Sequence, residues 1–320
     1  MTIESLLILD GLISPDEISL HLPVFKDAEV RIHNDKSLAS AFLAKFDSKE
    51  LGVHEKRQIE AVISSSLFVS LIEQTDEATF TANTYTEYSK AVGTLGMTIG
   101  FFSSVLFLIR PHELQMPFVL SIFEADEGTV CLLNHTVLNL YSLVRGNEQT
   151  TISAKELNQA FDIFNAIMPQ TETTIIDRDL SMRVVALIQS ARESSFPMQS
   201  VALLVSAMEC LLLRNNSGGE LTHQFSERLA SLVCIERADR LNTYKNAKKL
   251  YVTRSKFYHG SSLDKAEEVT QRIEEATGLL RTLIVSDEGN TLRHPFLFKK
   301  LERNEDKQAY SDEMLNRVML

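Results

Sequence analysis

The apolar positions of this chain follow two different spacings, and the change of spacing divides it. In the first part, Ser5 to Ile13 and Glu29 to His33 alternate or cluster as in short strands, whereas Ser37 to Phe46 and His54 to Gln74 carry helical periodicity. Ala91 to Ile109 is uncharged and long enough to raise the question of a membrane span. Gly93, Gly96, Gly100, Ser103 and Ser104 dilute it and no second span follows, so a buried helix running into a strand is expected, with no membrane association. Pro111 and Pro117 bracket a break, after which Phe118 to Phe123 and Val130 to Leu133 read as strands joined by a turn at Asp126 to Gly128. Ser153 opens a further helix, Glu156 completes a capping box three residues on, and the helix runs to Met168 before Pro169.

Beyond the polar stretch Gln170 to Thr174 nearly everything is helical. Leu180 to Ser195, Met198 to Arg214, Glu220 to Cys234, Ala238 to His259 and Leu263 to Val285 form a series of helices with short polar connections, as in a bundle. Asn215 to Gly219 lacks the lysine and preceding strand of a phosphate-cradling loop and is read as a connector. The expected fold is mainly α with an α+β N-terminal region over 1–172, a helical bundle over 173–289 and a charged C-terminal tail over 290–320. The cluster Phe296, Leu297 and Phe298 gives that tail something to dock with. Met198 to Leu213 is apolar nearly all round and marks the central helix of the bundle, with Glu209 its only charge.

Composition narrows the function. The chain has 320 residues, 44% of them apolar, enough for two ordinary domains. Its net charge of −11 repels phosphate and excludes a protein that coats nucleic acid at large, so any nucleic-acid contact must be local. One local patch exists, because Arg237, Arg240, Lys245, Lys248, Lys249, Arg254 and Lys256 share a segment whose only acid is Asp239. Lys245, Lys248, Lys249 and Lys256 are its candidate RNA-binding residues; a solvated basic helix face is the plainer reading. Cys131, Cys210 and Cys234 show no paired spacing and read as reduced structural thiols. The acidic N-terminus lacks the basic lead of a secretory signal, which predicts a cytoplasmic protein. The histidines show neither metal-ligand spacing nor an HExxH motif, and no glycine-rich dinucleotide fingerprint or GxSxG elbow is present, so neither metal nor cofactor is expected.

The candidate chemistry lies in Tyr251 to Gly260, YVTRSKFYHG. On a helix, Tyr244, Ala247, Leu250, Tyr251, Phe257 and Tyr258 share one side, with Arg254 among them. A guanidinium cannot sit unpaired on an apolar face, so Arg254 needs a buried acid, a wet cleft or an anionic ligand. Glu209 is equally isolated on its own helix, and it is expected to lie near Arg254 or Arg228 and to orient it. His259 follows five positions after Arg254, and Gly260 suits the left-handed conformation just past a helix end. Arginine with histidine suits phosphate chemistry. Ser255 and His259 stand four apart, yet serine hydrolysis would also need an oxyanion hole and an orienting acid.

Three elements in order, VSAMECLLLRNN, ELTHQFSERLASLV and KKLYVTRSKFYHG, resemble the Apea-like branch of the HEPN (higher eukaryotes and prokaryotes nucleotide-binding) superfamily. Ala207, Glu209, Glu227 to Ala230, Tyr251, Arg254, Ser255, His259 and Gly260 carry the resemblance, which spans Leu180 to Val285. It implies a helical bundle that pairs with a second copy as a homodimer and brings two arginine-histidine motifs into one cleft. It also implies a metal-independent endoribonuclease of the kind found in toxin-antitoxin pairs and phage defence, with a possible neutralising partner protein. Arg254, His259 and Ser255 would then be catalytic, with Glu209 and Tyr251 behind them. Catalytic members usually place Asn, Asp or His directly after the arginine, where this chain has Ser255. A noncatalytic RNA- or nucleotide-binding or dimerisation module therefore stays open.

Overall fold

A computed structural model describes residues 2–9, 12–14, 16–22, 28–45, 57, 59–60, 67–74, 96–116, 119–125, 128–134, 138–141, 143, 150–167, 180–214, 220–234, 236–260, 266–286, 291–301 and 303–319. They are mainly helical, with an antiparallel sheet in the N-terminal part. Two compact units are present. The first comprises Met1–Ser103, His112–Ser142 and Gly146–Phe161, and the second Ser104–Pro111, Leu143–Arg145 and Asp162–Leu320.

The described residues of the first unit include the strands β1 (Thr2–Leu9), β2 (Leu12–Ile13), β3 (Ser19–Leu22), β4 (Ala28–His33), β5 (Leu67–Gln74), β6 (Leu114–Met116), β7 (Val119–Ala125), β8 (Gly128–Asn134), β9 (Leu138–Leu140) and β10 (Thr150–Thr151). Six form one sheet in the order β3-β4-β5-β1-β7-β8, antiparallel at every pairing. The strands expected within Ser5 to Ile13, Glu29 to His33, Phe118 to Phe123 and Val130 to Leu133 are present; the turn between the last two lies partly outside the described residues. The helical reading of His54 to Gln74 fails in its second half, because Leu67–Gln74 is the strand β5, hydrogen-bonded between β1 and β4. A short apolar run with Phe, Val and Ile suits either state locally, and two flanking strands that satisfy both its edges decide for the strand.

The helix α1 (Lys36–Ala44) starts where the Asp35 carboxylate accepts from the N–H groups of Ser37 and Leu38, at 2.9 and 3.2 Å. The helix α2 (Ala154–Ile167) starts on the capping box seen in the sequence. The Glu156 N–H donates to Ser153 Oγ at 3.2 Å, and the Ser153 N–H donates back to Glu156 Oε2 at 2.9 Å. The uncharged segment is helical over 96–109, with residues 98–108 buried, and it leads into β6. None of the described helices is long and apolar enough to cross a membrane.

The second unit contains α3 (Leu180–Glu193), α4 (Pro197–Leu212), α5 (Leu221–Val233), α6 (Arg237–Tyr258), α7 (Ala266–Ile284), a 3-10 turn (Pro295–Phe298) and α8 (Asn304–Met319). The helix α4 is the hub, packing on α3, α5, α6 and α7. Val201, Leu204, Val205, Ala207, Met208, Leu211 and Leu212 are all fully buried in it, as its apolar circumference predicted. The connector Asn215 to Gly219 and the polar stretch Gln170 to Thr174 lie outside the described residues. The tail is docked, because Leu297, Tyr310 and Met314 belong to the same core. Tyr310 donates its hydroxyl proton to the carbonyl of Leu211, and Arg228 donates to that of Leu212 at 2.6 Å. The open C-terminal end of α4 thus finds donors on α8 and α5. Arg281 on α7 plays the same part for the stretch 96–109, donating to the carbonyls of Leu108 and Ile109 at 2.7 Å each.

Candidate functional site

The site forms where α6 crosses α4. Ser206 and Glu209 lie three apart on α4, Tyr251 and Arg254 three apart on α6, and each pair shares one face of its helix. Arg254 Nη2 meets Glu209 Oε2 at 2.6 Å, and Arg254 Nε donates to Ser206 Oγ at 3.0 Å. Tyr251 donates its hydroxyl proton to the other carboxylate oxygen, Glu209 Oε1, at 3.0 Å. Ser206 in turn donates to the carbonyl of Ala202 at 2.8 Å, which fixes its lone pairs toward the guanidinium. Burial, and then the neighbouring Glu209 charge, raise the Tyr251 hydroxyl above the ordinary phenol range and keep it a donor.

Arg254 is sandwiched as well as paired. Its guanidinium carbon lies 5.5 Å from the ring centroid of Tyr251 and 5.2 Å from that of Tyr258. The side chains of Arg254 and Glu209 nevertheless keep 24% and 21% of their surface exposed, so the pair borders solvent and is not sealed in the core. A guanidinium has five N–H donors, and among the described residues Arg254 uses two. The remaining N–H groups can meet an anion without breaking the hold of Glu209 and Ser206.

His259 takes a different position. It is the C-cap of α6, its backbone N–H donates to the Ser255 carbonyl at 3.0 Å, and its exposed ring makes no hydrogen bond among the described residues. Gly260 follows at φ +66°, the left-handed conformation its place after the helix predicted. Five helical positions separate Arg254 from His259 by about 140° around the axis, so the two do not converge on one point of a single chain. Ser255 is half-buried beside them. Lys245, Lys248 and Lys249 are exposed and Lys256 half-buried, and with Val252 and His259 they follow the solvent face of α6.

The sequence reading reached Arg254, Glu209 and Tyr251 and missed Ser206. Its signal was the matching three-residue spacing of the two pairs, which aligns one rung of α4 with one of α6. Cys210, next to Glu209, is a half-buried free thiol whose burial raises it above the usual range. No group of three or more His, Cys, Asp or Glu side chains placed to hold a metal occurs among the described residues. No protein-family model, no curated protein and no solved structure matches this chain.

Proposed function

We propose that the chain is a HEPN-type endoribonuclease that cleaves RNA without a metal, acting as a toxin or an antiviral-defence effector in the cytoplasm. The observation that carries the reading is the state of Arg254: oriented by Glu209 and Ser206, about a quarter exposed to solvent, and with N–H donors that no described residue uses. In the reaction a ribose 2′-hydroxyl attacks the adjacent phosphorus and the 5′-oxygen leaves, giving a 2′,3′-cyclic phosphate and a 5′-hydroxyl. Arg254 stabilises the charge that develops on the phosphoryl oxygens, and His259 transfers a proton. The 140° separation of the two along α6 favours a homodimer in which a second copy brings its own pair to the same cleft. Lys245, Lys248, Lys249 and Lys256 then hold the flanking backbone, and a neutralising partner protein would act by covering this face.

Ser255 favours a second reading, an RNA- or nucleotide-binding module without catalysis, because its hydroxyl is short and uncharged where catalytic members carry Asn, Asp or His. A mixed RNA pool incubated in EDTA separates the two. Cleavage that leaves cyclic phosphate ends and is lost in both Arg254→Ala and His259→Ala supports the nuclease. RNA retention without cleavage supports the binding module.

A further inference from the structure

The six-stranded sheet ends on two strands that are guarded very differently. At one edge, β3 is four residues long, contains His21, follows Asp16 and Glu17, and is itself followed by Pro23. A short strand with charge and proline beside it resists an added strand. At the other edge, β8 runs for seven residues, GTVCLLN, with neither charge nor proline. Among the described residues β8 pairs on one side only, and all seven of its positions are in unbroken register with β7. An unbroken register leaves no bulge to twist the edge away, and every second backbone N–H and C=O of β8 points outward from the sheet.

We propose that β8 is an interface at which two copies of this chain join their sheets antiparallel, centred on Cys131. Antiparallel geometry restricts the register. Residues that face each other across a pair must both turn their backbone groups toward the partner or both away, and successive residues alternate. A two-fold axis therefore passes through one residue that faces its own copy. Only Cys131 in that place pairs all seven positions, with Gly128 against Asn134, Thr129 against Leu133 and Val130 against Leu132. Charge at the strand ends favours the same arrangement. Asp126 and Glu127 precede β8 and His135 follows it, so antiparallel pairing brings the acidic end of one copy to the histidine end of the other, whereas parallel pairing sets acids against acids. A second copy thus satisfies the outward backbone groups, the end charges and the register at once. The interface belongs to the first unit and does not depend on the RNA reading.

The test is self-association of the full chain with the contact mapped. Two Cys131 residues that face each other stand about 4.5–5.5 Å apart at Cα, within reach of a short bis-maleimide. At concentrations where sedimentation shows a dimer or larger species, the crosslinked peptide should join Cys131 to Cys131. Every second amide of β8 should then exchange about tenfold more slowly than in dilute protein. Cys131→Val should keep the self-association and lose the crosslink. Cys131→Lys sets two like charges directly opposite each other and should abolish the concentration-dependent protection of β8. Self-association without a Cys131 crosslink and with unchanged exchange in β8 would overturn the interface and assign the contact to another surface, the helical bundle among them. A chain that stays monomeric as its concentration rises would overturn it as well. If Cys131→Lys fails to fold, the crosslink and the exchange in the parent still decide. RNA cleavage in EDTA tests the ribonuclease reading separately, so either can fail without the other.

Discussion

Arg254 on α6 and Glu209 on α4 are 2.6 Å apart, and each is held in place by a second residue from the other's helix, Ser206 for the arginine and Tyr251 for the glutamate. The four side chains form a closed polar unit within two otherwise apolar surfaces. Losing one partner leaves a half-buried charge unsatisfied, and this makes the unit testable by stability as well as by activity.

A double-mutant cycle on the pair should show coupling. Arg254→Ala and Glu209→Ala are each expected to cost about 1–3 kcal/mol in urea unfolding, because the survivor is left partly desolvated. The double variant should cost less than the sum by roughly 1 kcal/mol. Strict additivity would show that the contact is incidental to the bundle.

Ser206→Ala removes the acceptor for Arg254 Nε and leaves Glu209 untouched. Stability should fall by about 1 kcal/mol or less, while under the proposed RNA function RNA binding or cleavage should fall further than stability predicts, because the guanidinium is free to rotate about its remaining contact. Unchanged RNA affinity and turnover in this variant would show that Glu209 alone positions the arginine.

Gly260→Ala should destabilise by about 1 kcal/mol through the backbone alone, since the residue holds φ +66° and an added Cβ would meet nothing within 4 Å. Hydrogen exchange should report the cost as earlier fraying at Tyr258 and His259, the last turn of α6. If exchange there is as slow as in the parent, the left-handed cap is not what ends the helix.

Acid should weaken the second unit through His294. Its ring is buried and Nε2 donates to the carbonyl of Leu232 at 2.9 Å; burial, above all, lowers its pKa below the ordinary value of 6.5. The unfolded chain then binds the proton more readily than the folded one. This stabilising contribution is complete above about pH 6.5 and is lost as the pH falls through the lower folded value. His294→Gln, which keeps an N–H donor and does not titrate, should flatten the stability profile below pH 6.5. An equally steep profile in that variant would move the acid sensitivity of this unit to other groups.

Removing 304–320 should destabilise the bundle by about 4 kcal/mol or more, since Tyr310 and Met314 each bury a large side chain in the core. Tyr310→Phe alone should cost about 1 kcal/mol by taking the donor from the Leu211 carbonyl. Burial raises that hydroxyl to about 12, so it remains a donor throughout the usable pH range. A truncated chain as stable as the parent would mean that α8 is not part of the cooperative unit.

The sequence by itself determined the features whose causes are local. The capping box at Ser153 and Glu156, the left-handed Gly260 and the five bundle helices are each set by a few neighbouring side chains and a helical repeat of apolar residues, and each stands where those residues placed it. That Glu209 meets an arginine was also legible, because an isolated charge on an apolar helix face is driven by desolvation toward a partner, but the sequence left Arg254 and Arg228 both open and the crossing of α4 and α6 chose Arg254. What tertiary structure decided is non-local. Leu67–Gln74 could form helix or strand by its own residues, and its place between β1 and β4 chose the strand. Ser206 became a ligand of Arg254 only because α4 and α6 cross at that rung, and no single-helix pattern contains that distance. Arg254 and His259, five apart in sequence, diverge around the helix because its pitch, and not their proximity along the chain, sets where side chains point.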